Sequence, residues 1–239
     1  MNMNKNLYIL VLVFLLGSHL TGYAQKATPV ITFYSIDDST DVKLAPGETK
    51  TTQAPVELTC DVDIDSNGYD YVCKWQFYRT KGQETLLLTR YEDYTTYTLT
   101  ESGGYRITCT VTFTLDGDTI EYVSDPFGVT ITESMLKCPN GFSPNGDGRN
   151  DDFKITFKSI VKLEAVFYNR WGQKLHTLTL DNAAKGWDGR VNGKYIKDGA
   201  YFLQLNAVGS DGVKYNIRKT INVLKGFTEG QESSGSTGS

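Results

Sequence analysis

Between residues 25 and 225, apolar side chains recur at every second position over most of the chain. That is the period of half-buried β-strands. Val56, Leu58, Cys60, Val62 and Ile64 would share one face of a strand. Tyr71, Cys73, Trp75 and Phe77 would share a face of the next, and Tyr105, Ile107, Cys109, Val111 and Phe113 a face of a third. The abundance of Thr, Tyr and Val suits a pleated surface. Asp116-Gly117 marks a hairpin turn leading into Ile120–Val123. Further on, Leu163–Asn169 and Gln173–Leu180 form a pair joined at Arg170-Trp171-Gly172. Ala200–Val208 and Val213–Val223 form another, joined at Ser210-Asp211-Gly212. Gly172, Gly189, Gly199 and Gly212 fall where turns need a positive φ or a close backbone approach. No segment sustains a 3.6-residue apolar period. The pattern predicts an all-β protein of two β-sandwich domains in tandem, 25–136 and 137–227.

The first 24 residues depart from this alternation. Lys5 is followed by the unbroken apolar run Leu7–Leu16, too short to span a bilayer. Gly22 and Ala24 place small residues at the −3 and −1 positions of a cleavage site. Residues 1–24 therefore read as a cleaved signal peptide, the rival being a short anchor. No Cys precedes Cys60 to accept a lipid. No later apolar run approaches the ~20 residues of a transmembrane helix, so none is expected in the mature chain. Residues 228–239 read as a polar, disordered tail.

Charge separates the two predicted domains. Residues 25–136 carry 8 basic and 18 acidic side chains, a net of −10. Residues 137–227 carry 15 basic and 8 acidic side chains, a net of +7. A basic half suits an acidic partner such as an anionic polysaccharide, or simply the acidic half beside it. Nucleic acid is a poor match for an exported chain with no dense basic cluster.

Little in the sequence points to catalysis. Once residues 1–24 are removed, His176 is the only histidine, and no Gly-x-Ser-x-Gly elbow accompanies it. The four cysteines lack Cys-x-x-Cys spacing, and no phosphate-cradling glycine motif occurs. The expectation is a protein without an active site or obligate cofactor. Phe142–Asp151 is dense in turn formers and places Asn145, Asp147 and Asp151 close together. Their side-chain oxygens, with the Arg149 carbonyl, form a candidate structural calcium site. Thr156 stands where an EF-hand loop counted from Asn145 would have Glu. The alternative is that these side chains hydrogen-bond the backbone of a tight turn.

Two resemblances sharpen this reading. Cys60, Trp75 and Cys109 have the order and approximate spacing of an immunoglobulin domain, in which a Trp packs on an inter-sheet disulfide. Residues 73–77 and 104–111 are similar to the polycystic-kidney-disease type of Ig-like repeat. Tyr105 lies four residues before Cys109 rather than two, so the usual tyrosine corner does not match. The resemblance implies a Cys60–Cys109 disulfide. Cys73 points to the same core and leaves other connectivities open, among them Cys73–Cys138, as well as simple buried thiols.

The second resemblance covers 139–225. Its pieces are Phe142, Pro144, Asn145, Gly146, Asp147, Gly148, Asn150 and Asp151; then Asn169, Arg170, Trp171 and Gly172; then Trp187, Asp188 and Gly189; then Gly199 and Tyr201. In this order and spacing they resemble the gliding motility-associated C-terminal domain, the type B sorting domain of Bacteroidetes type IX secretion. The resemblance implies that the second domain directs the chain from the periplasm to the type IX machinery. Release or attachment at the cell surface through an anionic lipopolysaccharide would follow. The first domain would then be an interaction module. The rival readings are an adhesin with a glycan or protein ligand on the first domain, and a structural spacer. Trp187, between two glycines, reads as a plug over the sandwich end, or alternatively as a sugar-stacking ring.

Overall fold

The computed structural model of the chain describes residues 25–225. The expected signal peptide, 1–24, and the polar tail, 228–239, lie outside the described residues. Within them every regular element is a strand. The first eleven are β1 (Lys26–Ser35), β2 (Thr40–Leu44), β3 (Thr49–Thr52), β4 (Val56–Asp65), β5 (Asp70–Arg79), β6 (Thr85–Arg90), β7 (Tyr94–Leu99), β8 (Gly103–Leu115), β9 (Asp118–Val123), β10 (Phe127–Ile131) and β11 (Met135–Lys137). The others are β12 (Gly141–Phe142), β13 (Thr156–Lys158), β14 (Ile160–Tyr168), β15 (Lys174–Thr179), β16 (Arg190–Val191), β17 (Lys194–Tyr195), β18 (Gly199–Gly209) and β19 (Lys214–Val223).

Sheet β2-β1-β4-β7 faces sheet β3-β10-β8-β5-β6, with β9 paired to the far half of β8. The alternation in sequence becomes alternation in burial. Val56, Leu58, Cys60 and Val62 point inward from one sheet, and Trp75, Phe77, Ile107, Cys109, Val111 and Phe113 from the other. The outward positions of β4 are Glu57, Thr59, Asp61 and Asp63, so the acidic charge of this half lies on its open faces. The Asp116-Gly117 turn has positive φ at both residues, as a two-residue hairpin of this hand requires.

The expected Cys60–Cys109 disulfide is not formed. All four cysteines are free thiols, and Cys109 Sγ lies 3.7 Å from Cys73 Sγ. The register explains the encounter. Trp75 stands opposite Cys109, and Cys73 opposite Val111, so the two cysteines are diagonal neighbours on one sheet. Cys60 projects from the other sheet. Cys73 and Cys138 cannot meet either, because Cys138 packs against a second, separate core. Burial pushes the Cys60 thiol up to about 12.

That second core belongs to the five-stranded sheet β12-β19-β18-β14-β15. Its inner face presents Leu163, Ala165, Phe167, Leu203, Leu205, Ala207, Ile221 and Val223. The covering layer is not the full second sheet that a sandwich predicts. Phe153, Ile155, Ala183 and Trp187, from irregular segments, close the core. Only the short pairs β11-β13 and β16-β17 add strand structure. The cause is composition: 143–152 and 181–199 are too dense in Gly, Asn, Asp and Pro to sustain long strands.

Tyr105 corrects another expectation. Its hydroxyl donates to the Glu101 carbonyl at 2.8 Å, a tyrosine corner made four residues ahead of the cysteine. Tyr201 makes the same bond in the second half, to the Lys197 carbonyl at 2.7 Å.

Candidate functional site

The strand directions of the second half send its motif segments to one end. β14 runs from Ile160 to the turn at Asn169–Gln173. β18 begins at that same end, since Phe202 stands opposite Tyr168. β19 finishes there, opposite Gly199, and β12 runs parallel to it into the loop that starts at Ser143. Gly189 joins this end as well: a Cβ on it would lie 3.0 Å from the Phe142 ring, and its φ of +75° also calls for glycine. The loop 143–151, the 169–173 turn, the 186–189 segment and the start of β18 therefore form one pole. The opposite pole carries Ser159 and the Ser210–Gly212 turn, and it abuts the N-terminal half.

The loop at 143–151 is held by its own carboxylates. Asp151 Oδ1 accepts the amides of Asn145 (3.1 Å) and Gly146 (2.6 Å), and its Oδ2 accepts that of Gly148 (2.8 Å). Asp147 Oδ1 accepts the Arg149 amide and its Oδ2 the Asn145 side-chain amide, while Asn145 Oδ1 accepts the Asp147 amide. These bonds hold the Asp147 carboxyl below its usual range, the Asn145 bond contributing most. The oxygens expected to bind calcium are thus directed at N–H groups, whose positive ends already meet the carboxylate charge. Among the described residues no group of three or more His, Cys, Asp and Glu is arranged to hold a metal ion. In this arrangement the side chains of Asn145, Asp147 and Asp151 lock the turn through its amides, as the turn-locking alternative expects.

Trp187 is a plug. It is buried, and its indole N–H donates to the Arg190 carbonyl at 3.0 Å. Phe167, Phe142 and His176 surround it at ring-centroid distances of 4.7, 5.7 and 5.2 Å. The sugar-stacking alternative fails, because no face of the ring is open. Desolvation in this setting lowers the His176 pKa, against a smaller opposing effect from Asp188.

The open ring at this pole is Trp171, 75% exposed. Asn169 shapes its turn by accepting the amides of Trp171 and Gln173 on one side-chain oxygen, both at 3.0 Å. Arg170 lies over the indole at 4.3 Å. A second cation–aromatic group stands on β16-β17. There Tyr195 has Arg190 over its ring at 4.4 Å and Lys225 at 5.2 Å, and its hydroxyl accepts from Arg190. The motif reading singled out Arg170 and Trp171 but missed Arg190, Tyr195 and Lys225. The only sequence signal for these three is a basic residue a few positions from an aromatic one.

The fold and this pole define a class of protein: an all-β chain whose C-terminal half presents loops, cations and aromatic rings, with no catalytic constellation among the described residues. Residues 136–222 match the family model of the CHU_C type IX secretion signal domain, and that segment is a type IX secretion signal domain. Such a domain implies export, with a cell-surface or extracellular location. A search of the curated proteins finds no match. Among solved structures the chain is similar to dimeric latent PorU from Porphyromonas gingivalis, at 13% identity and a TM-score of 0.24, over 82% of this chain. It spans 20% of that protein's length. It is also similar to a tetra-tandem repeat from the extending region of a large adhesion protein, at 10% identity and a TM-score of 0.26, covering 84% of this chain and 68% of that one. A third similar structure is the FN1–FN3 segment of chicken CNTN1, at 9% identity and a TM-score of 0.26, covering 77% and 71%. Among the described residues no helix is long and apolar enough to cross a membrane.

Proposed function

We infer that the chain is a non-enzymatic, two-domain exported protein. Residues 25–136 form an Ig-like interaction module, and 137–227 form the sorting domain that directs type IX secretion. The surface read by the machinery is the motif-bearing pole, with Arg170, Trp171, Arg190 and Tyr195 as contacts. The observation that carries this reading is the convergence of the signal domain's motif segments on the pole that faces away from the N-terminal half. A translocon could engage that pole while the rest of the chain stays folded behind it. The net charge of +7 on 137–227 suits acidic partners, including the anionic lipopolysaccharide of a surface-attached product. Two experiments test the reading. Deleting 137–239 should hold the chain in the periplasm. The double variant Arg170→Ala/Trp171→Ala should fold normally yet fail to reach the surface or medium. Normal delivery of both proteins would refute the assignment of the pole.

A second reading gives the Ig-like module a glycan ligand. The outer face of the first sheet carries an open cleft of about 660 Å³ lined by Thr32, Tyr34, Ile36, Asp41, Lys43 and Glu57. Tyr34 is 55% exposed and offers a stacking face beside carboxylates and a hydroxyl. Glycan-array binding that is lost in Tyr34→Ala would support it, and background signal from the intact chain would remove it.

A further inference from the structure

The pole opposite the motif segments is not a free end. Ser159 has a φ of +46° and is buried at the junction with the N-terminal half. Its hydroxyl accepts the Ala54 amide at 3.2 Å and shares a 2.7 Å bond with the Thr132 hydroxyl, and its amide donates to Gln53 Oε1 at 3.3 Å. Ser210 is buried as well. Its carbonyl accepts the Ser102 amide at 2.9 Å, and its hydroxyl donates to the Thr132 carbonyl at 2.9 Å. Asp211 accepts the Ser134 amide at 3.0 Å and the Ser134 hydroxyl at 2.8 Å. Lys158 reaches Asp37 at 3.3 Å.

Two features of the backbone show that the junction is built into both halves. β14 has a register irregularity between Ile160 and Lys162, the mark of a bulge at Val161. Ile160 packs in the second core, and the next residue, Val161, packs against the first. Consecutive side chains of one strand thus enter two different cores. Gly209, at the end of β18, is the second feature. A Cβ there would lie 2.1 Å from Ser134 Oγ and 2.3 Å from Ser134 Cβ. Asp211 Oδ1 would lie 2.5 Å from the same Cβ, and the φ of Gly209 is not positive, so the demand for glycine comes from the close approach of Ser134 and of the carboxylate that holds it.

We propose that the N-terminal sandwich has a second role, as a fixed cap that completes the secretion signal domain. The folding and sorting unit is then the whole of 25–225 rather than 136–222. Buried polar groups that lose their partners are costly. Six of the partners named above, Asp37, Gln53, Ala54, Ser102, Thr132 and Ser134, lie outside the signal segment. The cap also fixes the direction of the motif-bearing pole, which a flexible tether would leave free.

The sorting part of this proposal rests on the function inferred above, and calorimetry separates the two. The full chain should unfold in a single transition. Gly209→Ala should split it in two by forcing Ser134 away. Ser134→Gly alone should weaken the junction by removing the hydroxyl bonds to Asp211 while keeping the amide bond. Combined with Gly209→Ala it removes the clash with Ser134 and leaves the Asp211 carboxylate free to turn away, so the double variant should unfold nearer to a single transition than the separate effects predict. In a secretion assay Gly209→Ala should lower the amount reaching the surface or medium, and Ser134→Gly should restore part of it. Two transitions in the wild-type chain, or strictly additive effects of the two substitutions, would overturn the cap. If the cycle couples in calorimetry but secretion is unchanged by Gly209→Ala, the cap has no sorting role. If the wild-type chain is not delivered by type IX secretion at all, the functional reading fails while the calorimetric result still decides the cap.

Discussion

Replacing Asp151 by Ala tests whether its carboxylate serves the loop amides. The side chain takes three backbone N–H groups, at 3.1, 2.6 and 2.8 Å. Charge-assisted bonds of this kind contribute about 1.5–3 kcal/mol each when sheltered. Here water can replace them in an exposed loop, and roughly 1 kcal/mol apiece is the appropriate scale. The loss is therefore about 2–3 kcal/mol, or a fall in Tm of about 5–10 °C for a cooperative unit of some 200 residues. Asp151→Asn keeps the shape but turns an N–H toward one of these donors, so it should recover less than half of the loss. The assay is differential scanning calorimetry of the wild type and both variants, each with calcium and with a chelator. Neither addition should move any Tm. A wild-type Tm that rises with calcium, in a way that Asp151→Ala abolishes, would show that the carboxylate binds a cation and would refute the reasoning. An Ala variant within about 1 °C of wild type would refute it equally.

Burial lowers the His176 pKa, so the unfolded chain takes up a proton near pH 6.5 while the folded chain resists it. Stability should be level above that pH and should fall as pH drops below it, until the folded pKa is passed. Denaturant melts of His176→Phe should lose this dependence. Trp187→Ala, which empties the space between Phe142, Phe167 and His176, should cost about 3–5 kcal/mol, whereas Trp171→Ala should stay within about 0.5 kcal/mol of wild type. Equilibrium melts distinguish the two tryptophans. Tyr105→Phe and Tyr201→Phe should each cost about 1 kcal/mol, the net worth of one hydrogen bond, and an unchanged midpoint in either would remove that corner.

The strands were legible because each face has its own chemistry. Val56 to Val62 and Ile107 to Phe113 alternate without error, and the structure buries the apolar members of each series. The irregular cover of the second core was less so. Phe153, Ile155 and Trp187 lie in segments whose local composition describes a surface loop, and only their place over the sheet shows that they are core. The junction was invisible for a similar reason. Ser134, Ser159 and Ser210 are residues that ordinarily face water, and nothing local signals that the partners of their junction bonds involving a side chain lie from 27 to 106 positions away in sequence. Asn145, Asp147 and Asp151 illustrate a further limit. Acidic oxygens in a glycine-rich turn suit a cation or a set of backbone amides equally well, until the direction of the amides is known.

The tyrosine corners bear on which motif residues recognise anything. Gly103 and Gly199 both have positive φ, each stands two residues before a tyrosine, and each tyrosine returns its hydroxyl to a carbonyl four residues upstream. The same device opens a central strand in the N-terminal sandwich, which lies outside the secretion signal match, and in the signal domain itself. It therefore belongs to the folding of these strands and carries no information specific to sorting. The same test applies along the motif. Asp151 locks a loop, Asn169 shapes a turn, Phe142 and Trp187 fill the core, and Gly189 makes room for Phe142. Among the motif residues that remain, Arg170 and Trp171 pair a cation with a solvent-exposed ring. The neighbouring pair Arg190 and Tyr195, absent from the motif, offers the same chemistry at the same pole. On the function proposed above, a partner that reads the folded signal would make its contacts there, and the rest of the motif would serve to build the pole that holds them.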